Sequence, residues 1–576
     1  MKNAEVLKCL AQSGLLQDCQ EVWLPSADGG VEEGGGLGTL SGRMTVGGHE
    51  FKLRVLLPEH FPLCLPEIRL EEVSPPIEIP HRIGDNNLCF TAGANLLDRR
   101  DPWAIVRESL AYVRNLLTDM LTGNRAHEFV QEIVAYWETL ARETRIDCVV
   151  TDGERPCLIK AFFKGEVLRA VADDAEVYAQ SLPTRSIEGL TAKHALYLPI
   201  DLSSAEPNFL PRHLLTLKYL QQCVQAAPEE DRCRLDLLLG HLDKREELVV
   251  LGVRRPHGRR ALLGINLVDI RGPHPFGSEQ APAKVVPVHL MRRDQAFLAP
   301  RGGAGLDLRE RRVLIAGCGS VGGYIALMLA RAGIGGLTLV DCDRFQPDNT
   351  YRHACGMAWL SQPKVTGLMM EITRAIPYVS VKPYAGRVED LLSKQPSVLR
   401  EHHLVIAALG HPTIELHLNE WSWSDAKHPP ILFTWLEPLG LGGHALLTHT
   451  NAAQSPERGC LECLYGRSIE GGPLRNRAAF AMPGATYTRD MLGCGSQYLP
   501  FADLDAQRTA ELASRLALQA LRGVVTGSRL SSWKGDRHGF EEEGYCVTPL
   551  YAAEPSSLES SQLTFVRKDC LICGET

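Results

Sequence analysis

The chain has 576 residues, 44% of them apolar and 23% charged, with a formal net charge of −8. That length is more than one hydrophobic core organises, so two to four domains are expected. The acidic balance argues against a non-specific nucleic-acid or anionic-membrane binder, which needs a basic excess, and no run of about 18 apolar residues offers a bilayer-spanning helix.

Residues 1–145 open with a helical stretch and a Gly-rich segment. A hairpin follows: Arg43 to Val46, a Gly47-Gly48 turn, then Phe51 to Leu57. A Gly-Gly pair between strand-like runs suits a turn that needs positive φ. Prolines at 58, 62, 66, 75, 76 and 80 punctuate an extended region. Beyond Cys89 the periodicity predicts helices over Trp103 to Leu121 and His127 to Leu140. The order of elements is α+β. Residues 146–298 alternate short apolar runs, among them Cys148–Val150, Leu158–Phe163 and Leu248–Leu251, with a helix expected over Leu210 to Gln225. This stretch carries no chemical motif and reads as a folded linker domain. Pro300 to Gly305 reads as a connection. From residue 299 to 576 the pattern becomes βαβ. Val313–Ala316 is a buried strand, Ser320–Arg331 a helix and Leu337–Asp341 the next strand. Strands over Val379–Tyr384 and Leu404–Leu409 continue a Rossmann-like, doubly wound α/β domain with a mainly parallel sheet. The chain is therefore a multidomain protein, α/β plus α+β.

Gly317-Cys318-Gly319-Ser320-Val321-Gly322 places G-x-G-x-x-G directly between a strand and a helix. Glycines let the backbone turn tightly and approach a phosphate, and the helix start offers free N–H groups to the anion. Asp341, ending the next strand, is placed for a ribose hydroxyl. Alone, the pattern is commonest in NAD- or FAD-binding enzymes, so a NAD-dependent oxidoreductase stands as one reading. Asp341-Cys342-Asp343, then Asn349, Arg352 and Lys364, change the balance. A triphosphate attracts a bidentate Arg and a point-charge Lys, whereas a dinucleotide site needs no such cluster.

These residues resemble the adenylating domain of the E1/ThiF/MoeB superfamily, whose pattern runs G-x-G-x-x-G, D-x-D, N-x-x-R and a Lys about a dozen residues on. The resemblance implies ATP and Mg2+ as cofactors. It implies that the turn of Gly317, Gly319 and Gly322 takes the nucleotide, that Asp341 holds its ribose and that Asn349, Arg352 and Lys364 hold the phosphates of ATP. The product would be an acyl-AMP made from a C-terminal carboxylate. One departure concerns the metal. The strand ending Ile406-Ala407-Ala408-Leu409-Gly410-His411 lacks the family's Asp, leaving Asp343 or a water network to hold Mg2+.

The 17 cysteines read as thiols, metal ligands or nucleophiles in a reducing compartment. The amino-terminal residues show no secretory signal, so a cytoplasmic protein is expected. Cys460, Cys463, Cys570 and Cys573 form two C-x-x-C pairs. Four thiolates make a closed tetrahedral set for structural Zn2+, and E1-like and MoeB-like proteins carry such pairs at corresponding places. Four reduced thiols is the competing reading. Between the pairs, Cys494 is flanked by Gly493 and Gly495. An acyl-accepting thiol needs exposure and thiolate character, and E1 relatives place such a cysteine here. Cys494 is therefore the candidate E1 nucleophile, with Cys546 the alternative. Cys318 and Cys342 read as packing residues.

The N-terminal region resembles the E2 (ubiquitin-conjugating) fold over about residues 40–120. The resemblance rests on Phe51 to Pro58, Phe61-Pro62, Leu65-Pro66-Glu67-Ile68, Pro80-His81, Asn87-Leu88-Cys89-Phe90 and Trp103. It implies that Cys89 is the thioester-carrying nucleophile and that His81 matches the family's His. The order is Pro-His rather than His-Pro, and the family's Asn is missing after it. Asn86 or Asn87 is the nearest donor for an oxyanion.

An E2-like and an E1-like module in one chain resemble the bacterial E2–E1 fusions of CBASS antiphage operons. The resemblance implies ATP-dependent protein conjugation. The C-terminus of a protein substrate, a CD-NTase (cGAS-like nucleotidyltransferase), would pass from Cys494 to Cys89 and then to an amine, in antiviral defence. E1-like domains imply a homodimer. Neither nucleic acid nor membrane is an expected partner. Two further readings are a sulfur-carrier adenylyltransferase of the MoeB/ThiF type, which has no use for Cys89, and a scaffold with an inactive E2 fold.

Overall fold

Helix α1 (Asn3–Gln12) turns Val6, Leu7 and Leu10 inward. It packs beside an antiparallel meander of β1 (Gln17–Trp23), β2 (Gly38–Val46), β3 (His49–Leu56) and β4 (Glu67–Ser74). In this computed structural model the described residues are 3–23, 38–83, 86–90, 96–123, 125–202, 209–242, 246–278, 280–448, 459–467, 474–490, 497–525, 527–552 and 565–574. They fall into two compact units, Met1–Tyr178 with Ile187–Asp294, and Ala179–Ser186 with Gln295–Thr576.

The Gly47-Gly48 turn forms the expected hairpin, with φ of 54° and 81° and Val46 facing His49. Two consecutive left-handed residues match the twist of the flanking strands, and glycine adopts them without steric cost. Phe51, Leu53 and Val55 alternate into the core of β3. Each such side chain contributes roughly 1.5–3 kcal/mol by leaving water. Short strands β5 (Arg82–Ile83) and β6 (Asn87–Leu88) close the sheet in the order β1-β2-β3-β4-β6-β5. Helix α2 (Pro102–Thr122) covers it with Val106, Leu110, Val113 and Leu117. Asp101 caps that helix by accepting the Ala104 N–H at 3.0 Å, and Pro102 occupies the first turn, where no N–H is needed.

Helices α3 (Arg125–Gln131) and α4 (Ile133–Leu140) follow. Phe129, Val130, Ile133 and Trp137 join the core of the next region rather than that of the meander. That region is a closed barrel. Its strands are β7 (Arg145–Val149), β8 (Cys157–Lys164), β9 (Val167–Ala172), β10 (Thr191–Ile200), β11 (Glu247–Val253), β12 (Ala261–Val268) and β13 (Lys284–Arg292), in the order β10-β11-β12-β13-β7-β9-β8. Tyr197 and Val250 face one cluster with Ile146, Cys148 and Val288, while Leu196 and Val249 face the helices. Helix α5 (Ala175–Ser181) links β9 to β10. The expected Leu210–Gln225 helix is a 3-10 turn over Pro211–Leu215 and then α6 (Leu217–Gln225). Between them Thr216 is extended, with ψ of 115°. Helix α7 (Glu229–Leu239) completes the layer over the barrel.

The second unit begins with α8 (Gln295–Arg301), which occupies part of the stretch expected to be a connection. Its parallel core holds β14 (Arg312–Ala316), β15 (Gly336–Asp341), β16 (Ser380–Ala385), β17 (Leu404–Ala407) and β18 (Ile431–Leu436). Helices α9 (Ser320–Ala332), α10 (Lys364–Ala375), α11 (Val388–Lys394) and α12 (Pro412–Trp423) are the connections between them. Two antiparallel strands, β19 (Gly442–Thr448) and, near the C-terminus, Arg529–Lys534, extend the sheet beyond β18. Helix α13 (Asp503–Leu521) packs against α9 and β19. No helix among the described residues is long and apolar enough to cross a membrane.

Candidate active sites

Gly317 leaves β14 with φ of 88°, and a Cβ there would lie 2.4 Å from the Ala408 carbonyl. A Cβ on Gly322 would lie 1.8 Å from the Gly317 carbonyl, so the first turn of α9 packs directly on the loop. Around Gly319 there is open space, with nothing within 4 Å of a Cβ. The loop is thus tight where it meets protein and open where a phosphate would approach. Asp341 organises it. Its Oδ2 accepts the Cys318 N–H at 2.7 Å and its Oδ1 the Asp343 N–H at 2.8 Å. Each carboxylate oxygen keeps a second acceptor position for a ribose hydroxyl. Cys318 is buried, as a packing residue should be, whereas Cys342 is exposed.

The next strand-like pairing folds the chain back on itself. Phe345 N–H donates to the Gln362 carbonyl at 2.8 Å, and Lys364 N–H to the Asp343 carbonyl at 3.0 Å. Lys364 is buried at the start of α10, and its Nζ lies 2.8 Å from Asp343 Oδ2. Asn349 Oδ1 caps its own turn by accepting the Gln346 N–H at 2.9 Å. His353 fastens this turn to the glycine loop. Its Nδ1 accepts the Cys355 N–H at 3.0 Å, so its Nε2 carries the proton and donates to the Cys318 carbonyl at 2.8 Å. Burial lowers its pKa, which favours that neutral form. Arg352 Nη1 donates to the Leu499 carbonyl at 3.2 Å, and its guanidinium lies over the Phe501 ring at 5.0 Å. Asp341, Asp343 and Lys364 are thereby joined to the glycine loop, while His353 ties the turn that carries Asn349 and Arg352 to it.

The strand end near Gly410 is not without a carboxylate. Glu415, one turn into α12, is buried and accepts the Gly410 N–H at 3.2 Å. Burial pushes its pKa up to about 7. The sequence window around Gly410 missed it because a helical turn brings it back to the loop. Among the described residues Asp341, Cys342 and Asp343 form one candidate cation group, with ligand atoms within 4.8 Å of one another.

Cys460, Cys463, Cys570 and Cys573 converge from the two distant pairs. All four are buried and their sulfurs lie within 4.8 Å of one another. Cys460 and Cys570 Sγ are 3.6 Å apart, and Cys463 and Cys573 Sγ 3.3 Å. Asn419 Oδ1 accepts the Leu461 N–H at 2.9 Å, fixing the first pair's turn, and Arg477 donates to the Cys463 carbonyl at 3.0 Å. A buried, closed set of soft donors fits Zn2+.

Cys494 lies outside the described residues. Its described flanks pair with each other, Arg489 with Tyr498 and Asp490 with Gln497. Cys546 is exposed, and its carbonyl accepts the Met482 N–H at 2.9 Å. Arg489 forms an ion pair with Glu543, and the Tyr545 hydroxyl donates to the Thr486 carbonyl at 3.2 Å. The Cys546 segment thus packs beside one flank of Cys494.

In the first unit Cys89 is exposed just after β6, and its N–H donates to the His81 carbonyl at 2.8 Å. His81 has φ of 62°. Its Nδ1 lies 2.8 Å from Glu132 Oε1 and its Nε2 3.7 Å from Glu128 Oε2. The Glu132 hydrogen bond outweighs burial and raises the His81 pKa. Asn86 Oδ1 accepts from Arg82 at 2.6 Å, and Asn87 Oδ1 is buried with no partner. Glu128 and Glu132 were not singled out from sequence. In the helix expected over His127 to Leu140 their four-residue spacing is too common to be a signal; in the fold Glu128 lies in α3 and Glu132 just before α4.

Two family models match the chain: the ThiF family over residues 293–524 and the prokaryotic E2 family B over residues 23–146. The ATP-dependent ubiquitin transferase-like protein Cap2 of Pseudomonas aeruginosa is 26% identical over 491 residues, covering 80% of this chain and 84% of that protein. The chain is an E2–E1 fusion similar to Cap2. As such a fusion it is an ATP-dependent E1/E2-like transferase of ubiquitin-like conjugation, with an adenylation fold following an E2-like domain. The molybdopterin-synthase adenylyltransferase of Escherichia coli is 32% identical over 162 residues, covering 28% of this chain and 62% of that protein. Among solved structures, E. coli MccB matches 47% of this chain and 67% of its own at 14% identity, with a TM-score of 0.32. ThiF-type adenylation implies ATP and Mg2+.

Proposed function

We propose that this E2–E1 fusion conjugates the C-terminus of a protein substrate, a CD-NTase, to an amine in bacterial antiviral defence. The observation that supports this reading is the coexistence, in one chain, of a glycine loop organised by Asp341 and an exposed E2-like Cys89. The substrate's terminal carboxylate attacks the α-phosphorus of ATP, forming acyl-AMP and releasing pyrophosphate. Arg352 and Lys364 offset the phosphate charge, and the open space at Gly319 admits it. The Cys494 thiol then attacks the acyl carbon, forming a thioester and releasing AMP. Exchange with the Cys89 thiol regenerates Cys494. An amine attacks the Cys89 thioester, leaving an amide and the Cys89 thiol.

Mg2+ bound with the triphosphate neutralises part of its charge, and Asp343 is the residue to hold it. Oxygen donors suit that ion. Zn2+ held by Cys460, Cys463, Cys570 and Cys573 would be structural, tying together chain segments far apart in sequence. The protein works as a homodimer in the cytoplasm, where the exposed thiols stay reduced.

The test mixes the protein, ATP and a candidate CD-NTase and follows a DTT-sensitive adduct by intact mass. Cys494→Ala should abolish the adduct, and Cys89→Ala should abolish transfer to amine. If both variants form product as the wild type does, the relay is wrong. Product formation that needs Cys494 but not Cys89 would favour sulfur-carrier activation.

A further inference from the structure

The barrel carries no catalytic motif, yet it reaches the E2-like site. Trp137 of α4 is buried, and its Nε1 donates to the Gly264 carbonyl at 3.1 Å and lies 3.2 Å from that of Val288. Ile133 is fully buried in the same core. Helix α4 is therefore fixed to β12 and β13, and this fixes where Glu132 points. Glu132 Oε1 meets His81 Nδ1 at 2.8 Å, and the His81 carbonyl accepts the Cys89 N–H at 2.8 Å. His81 holds a left-handed φ of 62°. A β-carbon disfavours that conformation, so it persists only where surroundings hold it.

We infer that Glu132 is a positioning residue for the E2-like site: it clamps the His81 side chain, and the His81 carbonyl in turn sets the backbone of Cys89. The inference rests on the reading of Cys89 as the acyl-carrying thiol. It gives the barrel a role, as the rigid base from which a carboxylate is presented. It also makes His81 a clamp rather than a proton carrier, since one ring nitrogen is bonded to Glu132 and the other faces Glu128.

The clamp titrates. The groups facing His81 are Glu132, the residue just before α4, and Tyr136 of α4, Glu128 and its neighbour His127 from α3, and Arg82 and Cys89 from its own loop. The Glu132 hydrogen bond raises the His81 pKa. The charged clamp is complete below the ordinary histidine value of about 6.5 and is lost as pH rises through the raised value.

The experiment uses the full-length protein as wild type, Glu132→Gln, Glu132→Asp and Cys89→Ser. Cys89 alkylation by iodoacetamide is followed by peptide mass from about pH 5.5 to 9, alongside discharge of the ATP-formed Cys89 thioester to hydroxylamine. A wave from His81 is expected in the wild-type alkylation profile. Glu132→Gln moves the His81 wave down toward the range of an unpaired imidazole. It also slows discharge about tenfold at pH 7, the loss of one charge-assisted hydrogen bond. Glu132→Asp restores most of both. If Glu132→Gln unfolds, Glu128→Gln gives the same shift with a smaller amplitude. A Glu132→Gln profile and discharge rate equal to wild type, in a protein whose Cys89→Ser variant is inactive, overturns the inference alone. Full conjugation by Cys89→Ser overturns the reading on which it rests.

Discussion

Arg352 donates to the Leu499 carbonyl at 3.2 Å and lies over the Phe501 ring at 5.0 Å. The residue proposed to hold ATP phosphate thus also holds the chain just beyond Cys494. A planar guanidinium serves both tasks, since it forms forked hydrogen bonds and stacks on a ring. Lysine keeps the charge and loses both geometries. Arg352→Lys should lower kcat/KM for ATP–pyrophosphate exchange by about 100-fold and speed amide hydrogen exchange over Tyr498–Phe501. Exchange kinetics and mass-detected deuterium uptake check the two effects separately. Normal uptake with impaired catalysis would restrict Arg352 to the nucleotide.

Two glycines of the same loop should behave differently when given one methyl group. At Gly322 a Cβ would sit 1.8 Å from the Gly317 carbonyl, so protein itself must move. At Gly319 a Cβ meets nothing within 4 Å, so only a ligand is displaced. Gly322→Ala should cost about 2–4 kcal/mol of stability and lose ATP binding with it. Gly319→Ala should melt like the wild type while binding ATP at least about tenfold more weakly. Thermal melts with and without ATP distinguish them. A destabilised Gly319→Ala would mean that the space beside it is not the phosphate's.

Glu415 imposes a pH dependence on the second unit. Its pKa is about 7 in the folded chain against an ordinary 4.5, because burial disfavours the charged form. Between those values the folded state holds the proton that the unfolded state has released, so stability falls as pH rises and levels off above about 7. The full difference is about 3 kcal/mol. Glu415→Gln keeps an acceptor for the Gly410 N–H and removes the ionisation. It should be nearly neutral at pH 4.5 and stabilising at pH 8. Denaturant unfolding at both pH values checks the sign. A variant less stable than wild type at pH 8 would show that the carboxylate charge is used.

Legibility in the sequence followed the range of the physics involved. The glycine loop was readable because backbone sterics demand glycine at fixed offsets, and Gly317 and Gly322 meet carbonyls that admit no side chain. The hairpin at Gly47-Gly48 was readable for the same local reason. The barrel was not. Strand β11 is buried along its whole length, Glu247 included, so the alternation that marks a half-exposed strand is absent. Its pairings are also long-range, with β10 and β11 parallel across two helices. Glu132 was illegible because its role depends on where the barrel sets α4. Glu415 was hidden because helix geometry, and not sequence adjacency, returns it to Gly410. Each C-x-x-C pair was visible, whereas their convergence, Cys460 on Cys570 across 110 residues, belongs to tertiary structure.

That convergence gives the last prediction. Four buried sulfurs within 4.8 Å of one another fit a metal ion, since unbridged thiols at such range gain little from being together and as thiolates repel. The purified protein should hold about one Zn2+ per chain, released when the thiols are modified. Cys463→Ser should lose that ion and lower the unfolding temperature of the adenylation unit by at least about 5 °C. Cys233→Ser, at an exposed cysteine outside the cluster, should change neither. Asn419 supplies a finer test. Its Oδ1 holds the Leu461 N–H at 2.9 Å, between the first pair of ligands, and outer hydrogen bonds of this kind set ligand orientation. Asn419→Ala should keep the zinc at neutral pH but release it to a competing chelator about tenfold more readily. Metal analysis and chelator titration read both outcomes. Wild-type protein without zinc, melting as the Cys463→Ser variant does, would leave the cluster as packed thiols.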